Sequence, residues 1–205
     1  LSCFGEDFGR SGDLTVIWPL QLRQDLVRLT PFVAELRNVP FEQQRQVLFY
    51  IVDRLPRFLG GALDARGNGQ YLAEVAMQRY GSGRIQQVML TPEWYRENMP
   101  PYKAAFEDGT ILLPRDAEVL ADHRLIRMEK GIARIPENVR TKGASGQRHG
   151  DSAIAGALAY AASRMDVVEY DYTPARGRSR YDERHGDEDA DHIGSGRWSG
   201  SGRGY

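Results

Sequence analysis

The chain has a single cysteine, Cys3, among its 205 residues. No disulfide can form within it, so a reducing compartment is expected. Cys3 stands inside an apolar run and reads as a small buried residue, not a nucleophile. No apolar run reaches the roughly 18–20 residues that cross a bilayer, so no membrane partner is expected. There is no charged segment ahead of an apolar one, so no signal peptide is expected. The initiator Met is also missing, and the chain starts on strand-like sequence, which suggests a piece of a longer protein. Neither sign of charge dominates: the net charge is -1. Bulk charge therefore points to no nucleic-acid partner, although a local basic rim can still bind one. The phosphate-cradling pattern G-x-x-x-x-G-K-[ST] is absent, and Lys130-Gly131 and Lys142-Gly143 have the wrong order and spacing. The chain thus carries no nucleotide-driven motor of that type.

What remains is ordinary globular material, 41% hydrophobic and 27% charged, long enough to bury a full core. The organising stretch is Leu1–Leu22. Two apolar runs, LSCF and LTVIWPL, flank an acidic, glycine-rich turn. A hairpin places Asp7 at the end of its first strand and Asp13 before its second. Residues 25–37 read as a third strand with Pro31 at an edge or bulge; a helix is the competing reading. Residues 40–58 carry a helical stripe of Val47, Leu48, Ile51, Val52 and Leu55, with Pro40 and Glu42 where a helix start favours them. FLGGALDA reads as a buried strand ending at Asp64. A helix over 70–80 and a strand over 84–90 follow.

Thr91-Pro92-Glu93 is a helix start with Thr91 as N-cap, and 101–107 continues or restarts that helix. A short strand at 110–113, a helix over 116–127 and a strand over 131–135 come next. Residues 141–150, TKGASGQRHG, read as a flexible basic loop. Residues 151–165 form an alanine-rich helix with Asp151 as N-cap. From Asp171 the chain is rich in Gly, Arg, Asp and Ser and nearly free of aliphatics. It cannot bury enough apolar area to offset its ordering entropy. The expected division is therefore a domain over 1–170 and a disordered tail over 171–205, with Trp198 as a candidate anchor.

This order of elements gives an α/β fold with a mixed sheet of five or more strands flanked by helices. Three antiparallel strands followed by a helix crossing to a parallel strand is the topology of the RNase H-like fold. It sets the first strand beside the fourth, with Asp7 and Asp64 at neighbouring strand ends and Asp151 over the same edge.

Three stretches carry a more specific likeness: GEDFGRSGDLTVIWPL, GALDARGNG and TKGASGQRHGDSAIAGALAYAA. Together they resemble the C-terminal nuclease domain of phage terminase large subunits, of the Mu-like phage and prophage type. The resemblance covers about residues 1–165. It implies a divalent-metal-dependent endonuclease that cuts double-stranded viral DNA during packaging, in the cytoplasm of the bacterial host. It implies Asp7, Asp64 and Asp151 as catalytic metal ligands, with Asp13 as an auxiliary acid. It further implies an upstream ATPase domain, a portal protein and a small terminase subunit as partners.

The chemistry agrees with that donor set. Attack on a phosphodiester builds negative charge, and magnesium or manganese, hard cations, take carboxylate oxygens. Two such ions about 4 Å apart would serve the attacking and leaving oxygens. His149 either contacts a phosphate, assists the attacking water, or is a solvated loop residue. Arg10, Arg66, Arg140, Lys142 and Arg148 flank the aspartates and could hold the DNA backbone; each could equally be a solvated charge. His123 reads as structural. Trp18, Trp94, Tyr50, Tyr80 and Tyr160 read as core or partial core. Singly, each aspartate also has a local explanation, as a turn residue or a helix cap. Two other functions stay open: another RNase H-like enzyme, such as a junction resolvase or transposase, and a non-catalytic domain that docks on portal or DNA.

Overall fold

A computed structural model describes residues 1–9, 14–136, 139–143 and 146–166. The first strand, β1 (Ser2–Asp7), pairs antiparallel with β2 (Leu14–Leu22), as the hairpin pattern predicts. The expected third strand is two short ones, β3 (Arg28–Leu29) and β4 (Ala34–Arg37), on opposite ends of β2. Pro31 falls between them. Helix α1 (Phe41–Val52) stops well before Pro56. It leads to β5 (Phe58–Asp64), which runs parallel to β1 on the side away from β2. Helix α2 (Gly69–Tyr80) returns the chain to β6 (Ile85–Val88), parallel to β5.

Helix α3 (Pro92–Glu107) is one element that passes through Pro100 and Pro101, and the Thr91 hydroxyl accepts from Trp94 N–H at its start. Strand β7 (Ile111–Leu112) closes the sheet edge beside β3. Helix α4 (Ala117–His123) is shorter than the pattern suggested and is capped by Asp116. Strands β8 (Arg127–Glu129) and β9 (Ile132–Arg134) form a hairpin, as do β10 (Thr141–Gly143) and β11 (Gly146–Arg148). Helix α5 (Asp151–Ala162) is the last described element.

The central sheet has seven strands in the order β6-β5-β1-β2-β3-β7, with β4 also on β2. Both faces are covered, so its inner strands are continuous apolar runs and not alternating ones. Alternate residues split between two cores. Cys3, Val16, Trp18 and Ala62 face α3, α4 and α5, whereas Phe4, Ile17 and Leu63 face α1 and α2. Helix α5 lies directly on β1. Its alanines and Gly5 permit the approach, since a Cβ at Gly5 would stand 2.1 Å from the Ala155 carbonyl oxygen.

Cys3 is buried, as expected. Of the residues expected in the core, Trp18 and Tyr160 are buried and Trp94 packs against the core, but Tyr50 is 61% exposed. Tyr50 lies on the outer face of α1, beneath the Arg54 guanidinium. His123 is structural: its Nδ1–H donates to the Val119 carbonyl, and its Nε2 accepts from the Tyr102 hydroxyl. Burial lowers its pKa. Among the described residues no helix is long and apolar enough to cross a membrane. The segment 171–205, Trp198 included, lies outside the described residues.

Candidate active site

Parallel pairing of β1 with β5 sets Glu6 beside Leu63. One residue further along, both strands end on an aspartate, Asp7 and Asp64. They point to the α5 side of the sheet, as Cys3 and Ala62 do. The start of α5 reaches the same edge and brings Asp151. All three carboxylates, with His149, line one cavity of about 290 Å³. Each of the three aspartates is at most 9% exposed.

Asp151 is not the N-cap of α5. Gly150 holds that position with φ 79°, a left-handed conformation that glycine takes without strain. A Cβ there would also meet Ile135 at 2.2 Å. Asp151 is therefore the first helical residue. Its Oδ2 accepts from the backbone N–H of His149 at 3.0 Å. Capping thus fails to explain it.

The three acids differ in their partners. Asp64 gives both oxygens to Arg66, whose Nε and Nη2 donate at 2.8–3.1 Å, and Asp64 Oδ1 also takes the Arg66 backbone N–H. Asp7 accepts no hydrogen bond from any described residue. Its pKa stands well above the usual carboxylate value, through burial first and then the charges of Asp151 and Asp64, with Arg66 opposing. Burial also raises Asp151, against the pull of the His149 N–H. His149 Nδ1 lies 2.6 Å from the Val139 carbonyl. A carbonyl only accepts, so Nδ1 carries the proton and Nε2 of the neutral ring keeps a lone pair.

Among the described residues no three His, Cys, Asp or Glu side chains stand close enough to close a metal shell. Asp64 is bonded by Arg66 instead. The donor set nonetheless fits a hard divalent cation. Three carboxylates share one cavity, one of them has no hydrogen-bond donor among the described residues, and their mutual repulsion is what such a cation relieves.

Of the basic residues expected near the site, Arg66 and Arg140 line the cavity. Arg148 does not. It is 2% exposed and lies among Glu35, Glu118 and Asp122. An arginine neutralised and enclosed in this way cannot meet a DNA backbone, and residues 141–143 and 146–148 are paired strands where a flexible loop was expected. Arg10, Asp13 and the side chain of Lys142 lie outside the described residues. Three lining residues had no sequence signal of their own: Phe8, Tyr95 and Arg134. Tyr95 could have been found by topology, because the helix after a parallel strand starts at the edge where that strand ends. Burial pushes its phenol up to about 12.

No family model matches the chain. The Mu-like prophage FluMu protein gp28 of Haemophilus influenzae is 42% identical over 195 residues, 95% of this chain and 38% of that protein. The probable terminase large subunit gp28 of Escherichia phage Mu is 48% identical over 171 residues, 82% of this chain and 31% of that protein. The nuclease of the large terminase from thermophilic phage G20c, solved with bound magnesium, superimposes with a TM-score of 0.58 at 19% identity, over 78% of this chain and 80% of that one. The large terminase of bacteriophage D6E, solved with ATP-gamma-S, superimposes with a TM-score of 0.56 at 9% identity, over 77% of this chain and 38% of that one.

The fold is thus the RNase H-like fold of terminase nuclease domains. By sequence the chain is similar to the gp28 proteins of a Mu-like prophage and of phage Mu, the second of them named a probable terminase large subunit, and it spans about a third of their length. The resemblance read from the three sequence stretches holds.

Proposed function

We propose that this domain is a divalent-metal-dependent endonuclease that cuts double-stranded DNA during phage genome packaging. One observation carries the reading: Asp7, Asp64 and Asp151, from three separate elements, line a single polar cavity at the sheet edge. The name of the phage Mu relative, a probable terminase large subunit, and those of the solved neighbours, large terminases, favour it over a resolvase, a transposase or a docking module.

Asp7, Asp64 and Asp151 would hold magnesium or manganese, with room for two ions. When bound, such a cation would supply a Lewis acid for the phosphate and a lowered pKa for the attacking water. The chain's own residues do the rest. The Nε2 lone pair of His149 accepts a proton at the cavity wall. Arg66 exchanges Asp64 for a phosphate oxygen, to which its planar fork is equally suited. Arg134 and Arg140 extend the basic rim for the backbone, which gives affinity without sequence reading. Asp13, Arg10 and Lys142 keep their expected supporting roles in this reading. His149 and the three aspartates form the catalytic group of a 1–170 domain, with 171–205 as its tail.

In the whole protein an upstream ATPase domain would drive the DNA. A portal protein and a small terminase subunit would be its partners, in the host cytoplasm. The metal site is tested by titrating manganese against the melting temperature, since a ligand of the native state raises stability. A concentration-dependent rise in wild type that is lost in Asp7→Asn supports the reading. No rise in wild type contradicts it.

A further inference from the structure

Asp151 is held from both sides by one carboxylate that never reaches the cavity. Asp122, on α4, is fully buried. Its Oδ2 accepts from the Ser152 hydroxyl at 2.7 Å and from the Ser152 backbone N–H at 3.2 Å. The same oxygen accepts from Arg148 Nη2 at 2.8 Å, and Arg148 Nε spans both oxygens at 3.1–3.2 Å. Ser152 follows Asp151 by one residue and Arg148 precedes it by three. The turn that carries His149, Gly150 and Asp151 is therefore fixed at both ends to one side chain.

Arg148 has further anchors. Its Nη1 and Nη2 donate to Glu35 of β4 at 2.8 and 2.6 Å, and Nη1 donates to Glu118 of α4 at 3.0 Å. The sheet, α4 and β11 thus meet on one guanidinium, and α5 joins them through Asp122. Adhesion alone does not account for this. A buried ion pair is a weak source of stability, and well-packed apolar side chains often hold elements as firmly. What apolar contacts lack is direction. A planar fork with bidentate partners sets angles as well as distances.

From this geometry we infer that Asp122 and Arg148 are positioning residues, which aim the Asp151 carboxylate into the cavity. The inference rests on the metal-site reading above. Outer partners of this kind typically change metal affinity by about 10–100-fold when altered.

The test compares wild type with Arg148→Lys, which keeps the charge and loses the fork, and Ser152→Ala, which removes one hydroxyl. Circular dichroism and metal-free melting establish folding. The manganese concentration for half-maximal thermal stabilisation, and that for half-maximal plasmid cleavage, are then measured beside the maximal rate. Folded variants should need about tenfold more manganese in both assays, while the rate at saturating metal changes less. A purely structural role would lower the metal-free melting temperature and leave both midpoints unmoved, and that result overturns the inference. If Arg148→Lys does not fold, Ser152→Ala decides alone. A wild type that responds to manganese, with variants that match it, overturns this inference and spares the metal site. A wild type with no response overturns both.

Discussion

Arg66 grips both carboxylate oxygens of Asp64 from only two residues away. The pair spans the turn that leaves β5, with Asp64 7% exposed and Arg66 half-exposed. The same arginine that balances the acidic cavity also occupies one of its carboxylates. Removing it should separate two effects that usually move together. Arg66→Ala is expected to tighten manganese binding, because Asp64 is released, and to weaken DNA binding, because a phosphate contact is lost. Thermal-shift titration and a gel-shift assay measure the two arms. A variant weaker in both would show that Arg66 only orients Asp64.

Glu6 predicts a pH dependence. It lies on the α1–α2 side of β1, 1% exposed, and no described residue bonds either oxygen. Burial, with the Asp64 charge adding, raises its pKa from the ordinary 4.5 to about 8. The folded state holds this proton more tightly than the unfolded chain. Its contribution is therefore fully present below pH 4.5 and is lost as pH rises towards about 8. Asp7 acts in the same direction. In EDTA, stability should fall over that window by up to a few kcal/mol. Glu6→Gln should flatten part of the slope of melting temperature against pH, leaving the share of Asp7. An unchanged slope would remove Glu6 as its source.

Gly5 predicts a packing limit. A methyl group there would collide with the Ala155 carbonyl and the Ala159 amide, which stand 2.1 and 2.2 Å from its Cβ position. Both are backbone atoms of α5 and cannot swing aside. Gly5→Ala should cost at least the upper end of the ~1–3 kcal/mol typical of overpacking, read by urea denaturation. Near-wild-type stability would mean that α5 does not sit as close to β1 as described.

The legible part of this molecule was the part written in local pattern. Apolar runs ending on Asp7 and Asp64 marked two strand ends, and the strand–helix–strand order made those ends neighbours. Asp151 was located correctly but for the wrong reason. The N-cap preference of aspartate is a local rule, and Gly150 overrides it by turning left-handed. The pairing of 141–143 with 146–148 has no local signal, because these strands are polar and the second is pinned by charge. Arg148 owes its burial to Glu35, Glu118 and Asp122, the first of them more than a hundred residues away. No window of sequence records such a meeting. Tyr95 and Arg134 join the cavity by topology alone.

Since Asp151 does not cap α5, its removal should separate stability from activity. Asp151→Asn keeps the shape and the acceptor for the His149 N–H. Its melting temperature in EDTA should match or exceed that of wild type, because one charge leaves a repulsive, buried cluster. Cleavage should be lost. A clear loss of melting temperature would return the residue to a structural role.

The most direct measurement is cleavage of supercoiled plasmid DNA in manganese, magnesium or EDTA, by wild type and by Asp7→Asn, Asp64→Asn and Asp151→Asn. Cutting by wild type with either ion, none in EDTA, and none by any of the three variants is the predicted result. Cutting that persists in EDTA, or in a folded variant lacking any one of the three carboxylates, would contradict a shared metal site.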